Sequence, residues 1–114
     1  MKLKPNEILF LYARQTGLTA DDVEALYGIS KGAWKDMLNG VIPCPSSWEF
    51  DASEIKQHDR LLITRRRKYH VAAEFCKVAK IHPTAQSRIE RGTLEPCDRM
   101  VRIYKKLLGF RWLP

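Results

Sequence analysis

The strongest constraint on this chain is an internal repeat. Residues 70–92, HVAAEFCKVAKIHPTAQSRIERG, align without a gap on residues 18–40, LTADDVEALYGISKGAWKDMLNG, at an offset of 52 positions. Apolar positions coincide: Val23 with Phe75, Leu26 with Val78, Ile29 with Ile81, Met37 with Ile89. Both copies end in glycine, at Gly40 and Gly92. A duplicated segment of this length sets the architecture before any local preference is weighed, because two copies of one unit must solve the same packing problem.

The spacing within each copy predicts two short helices and a tight break. Residues 71–79 carry Phe75 and Val78 among alanines, the i, i+3 habit of a short buried helix. Lys80, Ile81 and His82 interrupt it. Pro83 suits the first turn of a second helix, where a missing N–H costs little, and His82 is placed to cap it. That helix runs to Arg91 and stops at Gly92. Two short helices joined by so few residues must cross steeply. The earlier copy repeats the logic: Thr19 with Asp22 forms an N-cap arrangement, Gly28 sits in the turn, Ser30 caps the second helix and Gly40 ends it.

Residues 65–108 resemble the five-helix DNA-binding domain of the phage Cro and lambda-repressor-like helix-turn-helix superfamily. The likeness is carried by Ser87-Arg88-Ile89-Glu90-Arg91-Gly92, by Pro96 four residues on, and by the helix pattern of Met100, Val101, Ile103, Tyr104, Leu107, Leu108 and Gly109. The same frame fits residues 8–40. The resemblance implies an all-α fold, a tandem repeat of lambda-repressor-like helix-turn-helix units packed as one compact helical protein. Residues 1–52 form a degenerate copy and residues 53–114 a basic one. It implies that residues 83–91 are the recognition helix.

Residues that would meet DNA follow from that assignment, since the N-terminal half of a recognition helix enters the major groove. Thr84, Ala85 and Arg88 are expected to read bases, with Arg88 the best guanine partner through a bidentate contact. Ser87 and Arg91 are expected at phosphate, together with Arg66, Arg67 and Lys68 at the end of the preceding helix. Lys31 and Lys35 offer a second contact from the first copy. In the family, an Arg of helix 1 and a Glu near the end of the recognition helix form a semi-buried ion pair; Arg65 and Glu90 occupy these places. Fifty-two positions earlier stand Ala13 and Leu38, so both charges are replaced together. Losing one alone would strand a buried charge, whereas losing both is neutral or stabilising.

Charge separates the copies further. The formal net charge is +7, yet residues 1–52 carry five Lys/Arg and seven Asp/Glu, while residues 53–114 carry fifteen and six. Binding to phosphates gains affinity by releasing counterions, which an acidic surface cannot do. The second half is therefore expected on double-stranded DNA. The first is expected to serve as scaffold, dimerisation surface, weak second reader, or contact for a protein partner.

Departures from the family pattern are specific. Gln86 stands where an aliphatic residue is usual, Lys80 where the turn usually has Gly, and Glu24 where Cys76 marks a small-residue position. The Glu24 departure predicts a first-copy helix 2 that is rotated or shifted. The first copy lacks a clean closing helix: Ser46, Ser47, Trp48 and Glu49 can start one, but it must merge with the helix over residues 54–68 that opens the second copy. Pro43, Cys44 and Pro45 make the one hard break. Trp48, Phe110 and Trp112 are expected either to seal the contact between the copies or to face a partner protein.

Other classes find little support. Cys44, Cys76 and Cys97 are an odd set without a CxxC, so neither a disulfide framework nor a zinc site is expected, and Cys76 is expected to pack rather than react. His58, His70 and His82 lack metal-ligand spacing. No catalytic triad, phosphate-binding glycine loop or paired carboxylate motif is present, so no enzyme activity, cofactor or metal is expected. No apolar run is long enough to span a bilayer and no signal-peptide pattern appears, so a reducing cytoplasm is the expected compartment. The expected function is a small transcriptional repressor of a phage, plasmid or other mobile-element operon. The alternatives are a plasmid-transfer (relaxosome) accessory or architectural DNA-binding factor, and an antitoxin-like protein-interaction module. Both a homodimer and an internal pseudo-dimer are compatible with the repeat.

Overall fold

The computed structural model describes residues 2–44 and 55–114, and all regular elements among them are helical. The chain divides into two compact units, Met1–Glu54 and Ile55–Pro114. The first contains α1 (Pro5–Thr16), α2 (Ala20–Tyr27) and α3 (Lys31–Leu38). The second contains α4 (Gln57–Lys68), α5 (Ala72–Ala79), α6 (Pro83–Glu90) and α7 (Asp98–Ile103), which continues as a π-helical turn over Tyr104–Leu108. The expected start of a first-copy closing helix at Ser46, Ser47, Trp48 and Glu49, and the Pro45 break, lie outside the described residues. None of the helices among the described residues is long and apolar enough to cross a membrane.

Each helix of the first unit recurs in the second with both ends displaced by the same 52 residues: Pro5–Thr16 as Gln57–Lys68, Ala20–Tyr27 as Ala72–Ala79, Lys31–Leu38 as Pro83–Glu90. The ends coincide because similar capping chemistry stands at most of them. Lys4 N–H donates to the Glu7 carboxylate at 2.8 Å, and Lys56 N–H donates to Asp59 at 3.0 Å. These acids sit buried in the first turn, where a carboxylate also suits the helix dipole. The Lys56 cap starts α4 at Gln57, three residues later than the sequence spacing predicts. Thr19 and Asp22 form the reciprocal capping box expected of them, and Ser30 caps α3 through the Ala33 N–H at 3.2 Å.

The turn between the second and third helices needs a left-handed residue in both units. Gly28 supplies it at φ 67°. In the second unit Lys80 takes its place at φ 56°, the one non-glycine residue with positive φ among those described. Such a conformation crowds Cβ against the backbone and costs about 1–2 kcal/mol. Arg99 compensates in part, because its guanidinium donates to the Lys80 carbonyl at 2.9 Å.

Each unit has its own core. In the first, Leu9, Ala13, Val23, Trp34 and Met37 cluster; in the second, Leu61, Phe75, Ala79, Ile81, Ile89 and Tyr104. The shared apolar pattern is right at Val23/Phe75 and Met37/Ile89, which are buried, but wrong at Leu26/Val78. Leu26 is 69 % exposed and Val78 is 55 % exposed. In α5 the buried stripe is Phe75, Cys76 and Ala79, because close helix contact favours the small residues over Val78. In α2 the equivalents of Cys76 and Ala79 are Glu24 and Tyr27, both exposed, so Val23 alone is buried there. Phe110 and Trp112 are half-buried against the second unit's own core, with their rings 6.4 Å apart. Gln57 holds the tail in place: its side chain donates to the Leu113 carbonyl at 2.8 Å and accepts from the Leu113 N–H at 2.6 Å.

Candidate nucleic-acid interface

The α6 helix is built to present one side and bury the other. His82 Nδ1 accepts the Thr84 N–H at 3.2 Å, and Pro83 fills the first helical position. At the far end, Thr93 N–H returns to the Arg88 carbonyl at 2.9 Å, with Gly92 at φ 79°. A Cβ at Gly92 would lie 2.6 Å from the His58 ring, so position 92 requires glycine on two counts. Ile89, Gln86 and Glu90 form the buried side. Thr84, Arg88 and Arg91 are exposed, which leaves a hydroxyl in the first turn and a guanidinium in the last turn of α6 facing out. Ser87 is half-buried at the edge of this face. Ala85 departs from the expected set: it is turned partly inward and packs against the core.

Behind α6 runs a buried polar chain. Arg65 and Glu90 pair in a bidentate fork, Nε to Oε2 and Nη2 to Oε1, both at 2.9 Å. Arg65 Nη1 also donates to the carbonyls of Tyr69 and His70 at 3.0 Å, holding the loop that leads into α5. Glu90 Oε2 accepts a second bond from Gln86 Nε2 at 2.7 Å, and Gln86 Oε1 accepts from the Tyr104 hydroxyl at 2.8 Å. Gln86 and Tyr104 are both fully buried, and no buried side-chain N or O atom among the described residues lacks a partner. Burial first, and then the Glu90 charge, push the Tyr104 phenol well above its ordinary value of 10.0. Burial also raises the Cys76 thiol, which fits a packed and unreactive sulfur. Arg65 and Glu90 were expected to pair from sequence. The role of Gln86 was not legible, since its partner Tyr104 lies 18 residues away.

The remaining candidates separate into two groups. Arg66, Arg67 and Lys68 share the last turn of α4, where Arg66 is half-buried and the other two are exposed. Lys68 Nζ donates to the Leu107 carbonyl, so this ammonium is already engaged with the end of the π turn. In the first unit Lys31 and Lys35 are exposed on α3. Lys31 pairs with Asp21 at 2.7 Å, and that hydrogen bond raises its pKa. The residue 52 positions before Arg88 is Asp36, and the one before Thr84 is Gly32. The α3 helix thus carries a half-buried carboxylate where α6 presents an exposed guanidinium. The positions matching Arg65, Gln86 and Glu90 are Ala13, Trp34 and Leu38, so the first unit replaces the polar chain with apolar packing.

Among the described residues, no group of three or more His, Cys, Asp or Glu is placed to hold a metal. No family model, curated protein or solved structure matches this chain.

Proposed function

We propose that this protein binds double-stranded DNA in a sequence-specific manner as a tandem pair of lambda-repressor-like helix-turn-helix units, and that it represses transcription from a mobile-element operon. The observation that carries the reading is the two-sided build of α6: Thr84 and Arg88 exposed on one side, Gln86, Ile89 and Glu90 buried on the other. In this assignment α6 enters the major groove, Arg88 makes a bidentate contact to guanine, and Thr84 touches a base edge or a thymine methyl. Arg91, Ser87 and the α4 end bearing Arg66, Arg67 and Lys68 meet phosphate. The net charge of +7 is not spread evenly: residues 1–52 carry five Lys/Arg against seven Asp/Glu, and residues 53–114 carry fifteen against six. Bound at a promoter, such a protein needs only occupancy to block transcription.

The first unit takes a different part. Its α3 helix carries Asp36 in place of Arg88, and Lys31 is held by Asp21. A carboxylate beside phosphate is repulsive, so this unit contributes scaffold or protein contact rather than principal base reading.

The test is selection of bound duplexes from a random pool, then footprinting on the winner with the mass of the complex measured. Enrichment of a defined site with a guanine contact that depends on Arg88 supports the reading. Failure of any sequence to bind better than a scrambled duplex overturns it. A natural site beside a transfer origin instead of over a promoter would move the assignment from repressor to transfer accessory factor.

A further inference from the structure

We propose that Tyr104 is a positioning residue for base recognition: acting through the Gln86 amide and the Glu90 carboxylate, its hydroxyl sets the rotation of α6 about its own axis. The inference rests on the assignment of α6 as the DNA reader. The hydrogen-bonded chain begins in α4 at Arg65, crosses α6 at Glu90 and Gln86, and ends at Tyr104 where α7 passes into the π turn. Both anchors therefore lie outside α6. Arg65 is fixed by Glu90 and by the Tyr69 and His70 carbonyls. Tyr104 is fully buried and stacked on Phe75 at 6.2 Å.

The chain has a direction. The Gln86 amide can donate to a carboxylate and accept from a hydroxyl in one orientation only; flipped, its carbonyl would face the Glu90 carboxylate. The anchored residues 86 and 90 are one turn apart, and so are the exposed residues 84 and 88. Two positions along a helix are about 200° apart around its axis, so these two lines lie on nearly opposite sides. Whatever fixes the first line aims the second. At a side-chain radius of about 6 Å, a rotation of about 10° moves an outward group by roughly 1 Å, enough to spoil a bidentate contact.

The first unit shows what the polar chain is not needed for. It forms helices of the same lengths and spacing with Ala13, Trp34 and Leu38 at the corresponding positions. Forming the three helices thus does not require buried hydrogen bonds at these sites. What the bonds add in the second unit is a unique helix orientation, the quality that directional contacts supply and apolar packing supplies less well.

The experiment compares Tyr104→Phe and the double variant Tyr104→Phe with Gln86→Leu in the full chain. Readouts are the thermal midpoint, affinity for a scrambled duplex, and the base preference at every position of the selected site. Tyr104→Phe should lower the midpoint and weaken preference at the base pair facing Arg88 about tenfold, with scrambled-duplex affinity unchanged. The double variant removes the stranded Gln86 carbonyl but also the Gln86 bond to Glu90, whose carboxylate keeps its Arg65 fork; base preference should stay weak in it. Parental base preference in either folded variant overturns the inference and leaves the proposed function standing. A parent protein that enriches no site overturns the proposed function, and this inference with it.

Discussion

Removal of the Glu90 carboxylate is the sharpest probe of the second unit. The Arg65 and Glu90 side chains are each about 5 % exposed, and the fork between them has two bonds of 2.9 Å. In Glu90→Ala, Arg65 keeps the Tyr69 and His70 carbonyls on Nη1 but loses the carboxylate that accepts from Nε and Nη2. Leaving one member of a buried pair without its partner costs about 3–5 kcal/mol. A unit of about 60 residues has only about 3–9 kcal/mol of total stability, so the loss is a third of it or more. The double change Arg65→Ala with Glu90→Leu copies Ala13 and Leu38. It strands no charge and leaves only the Gln86 Nε2 without its acceptor, worth about 1–3 kcal/mol. Water can replace the guanidinium at the Tyr69 and His70 carbonyls, since those residues are half-buried and exposed. Urea melts followed by circular dichroism on the parent, Arg65→Ala, Glu90→Leu and the double variant complete a thermodynamic cycle, with Glu90→Ala measured beside it. The expected outcome is a double variant clearly more stable than Glu90→Ala. If its loss equals the two single losses added, the residues are not coupled and the reasoning fails.

Four further outcomes are expected. Arg88→Ala should cost about 1–3 kcal/mol at the selected site and relax one base pair, whereas Lys35→Ala should cost clearly less; equal losses of specificity would refute the division of labour between the units. Replacing Arg66, Arg67 and Lys68 by Gln should weaken binding to specific and scrambled duplexes alike and lower the slope of log K against log salt by roughly one unit per phosphate contact; an unchanged slope removes them from the interface. Lys80→Gly should stabilise the protein by about 1 kcal/mol, because it relieves a left-handed lysine at φ 56°; a lower melting midpoint would contradict this. For Tyr104 the folded pKa is raised above the unfolded value of 10.0, so its contribution is whole below pH 10 and is lost as pH rises beyond it. Alkaline melts should show this fall in the parent and a shallower one in Tyr104→Phe.

Local chemistry was legible in the sequence, and distant pairing was not. The caps at Thr19, Ser30 and His82 could be anticipated because donor and acceptor sit within three residues of each other. The Arg65 and Glu90 pair could be anticipated because the family resemblance implies an ion pair at those positions, and the repeat, with both charges replaced at once, supports it. The burial of Leu26 and Val78 was misjudged, since apolar spacing in an eight-residue helix does not say which neighbouring stripe faces the core. In α5 the small side chains of Cys76 and Ala79 decided the face. Of the outward set Thr84, Ala85 and Arg88 expected from the start of α6, Thr84 and Arg88 are exposed, but Ala85 lies at the edge of the buried stripe and packs inward. Gln86 looked like a defect in an apolar position, because nothing local marks a tyrosine hydroxyl 18 residues on as its partner.

The two-way bond between Gln57 and Leu113 has a topological consequence. It brings the first turn of α4 and the end of the chain within the reach of one side chain, so the backbone path of the second unit closes on itself like a ring with a clasp. Polypeptide attached at either end leaves from the same edge, and tension applied between the two ends falls on the clasp before it reaches the core. A short connector across that gap would allow the order of its helices to be cyclically rearranged without redrawing a single packing contact.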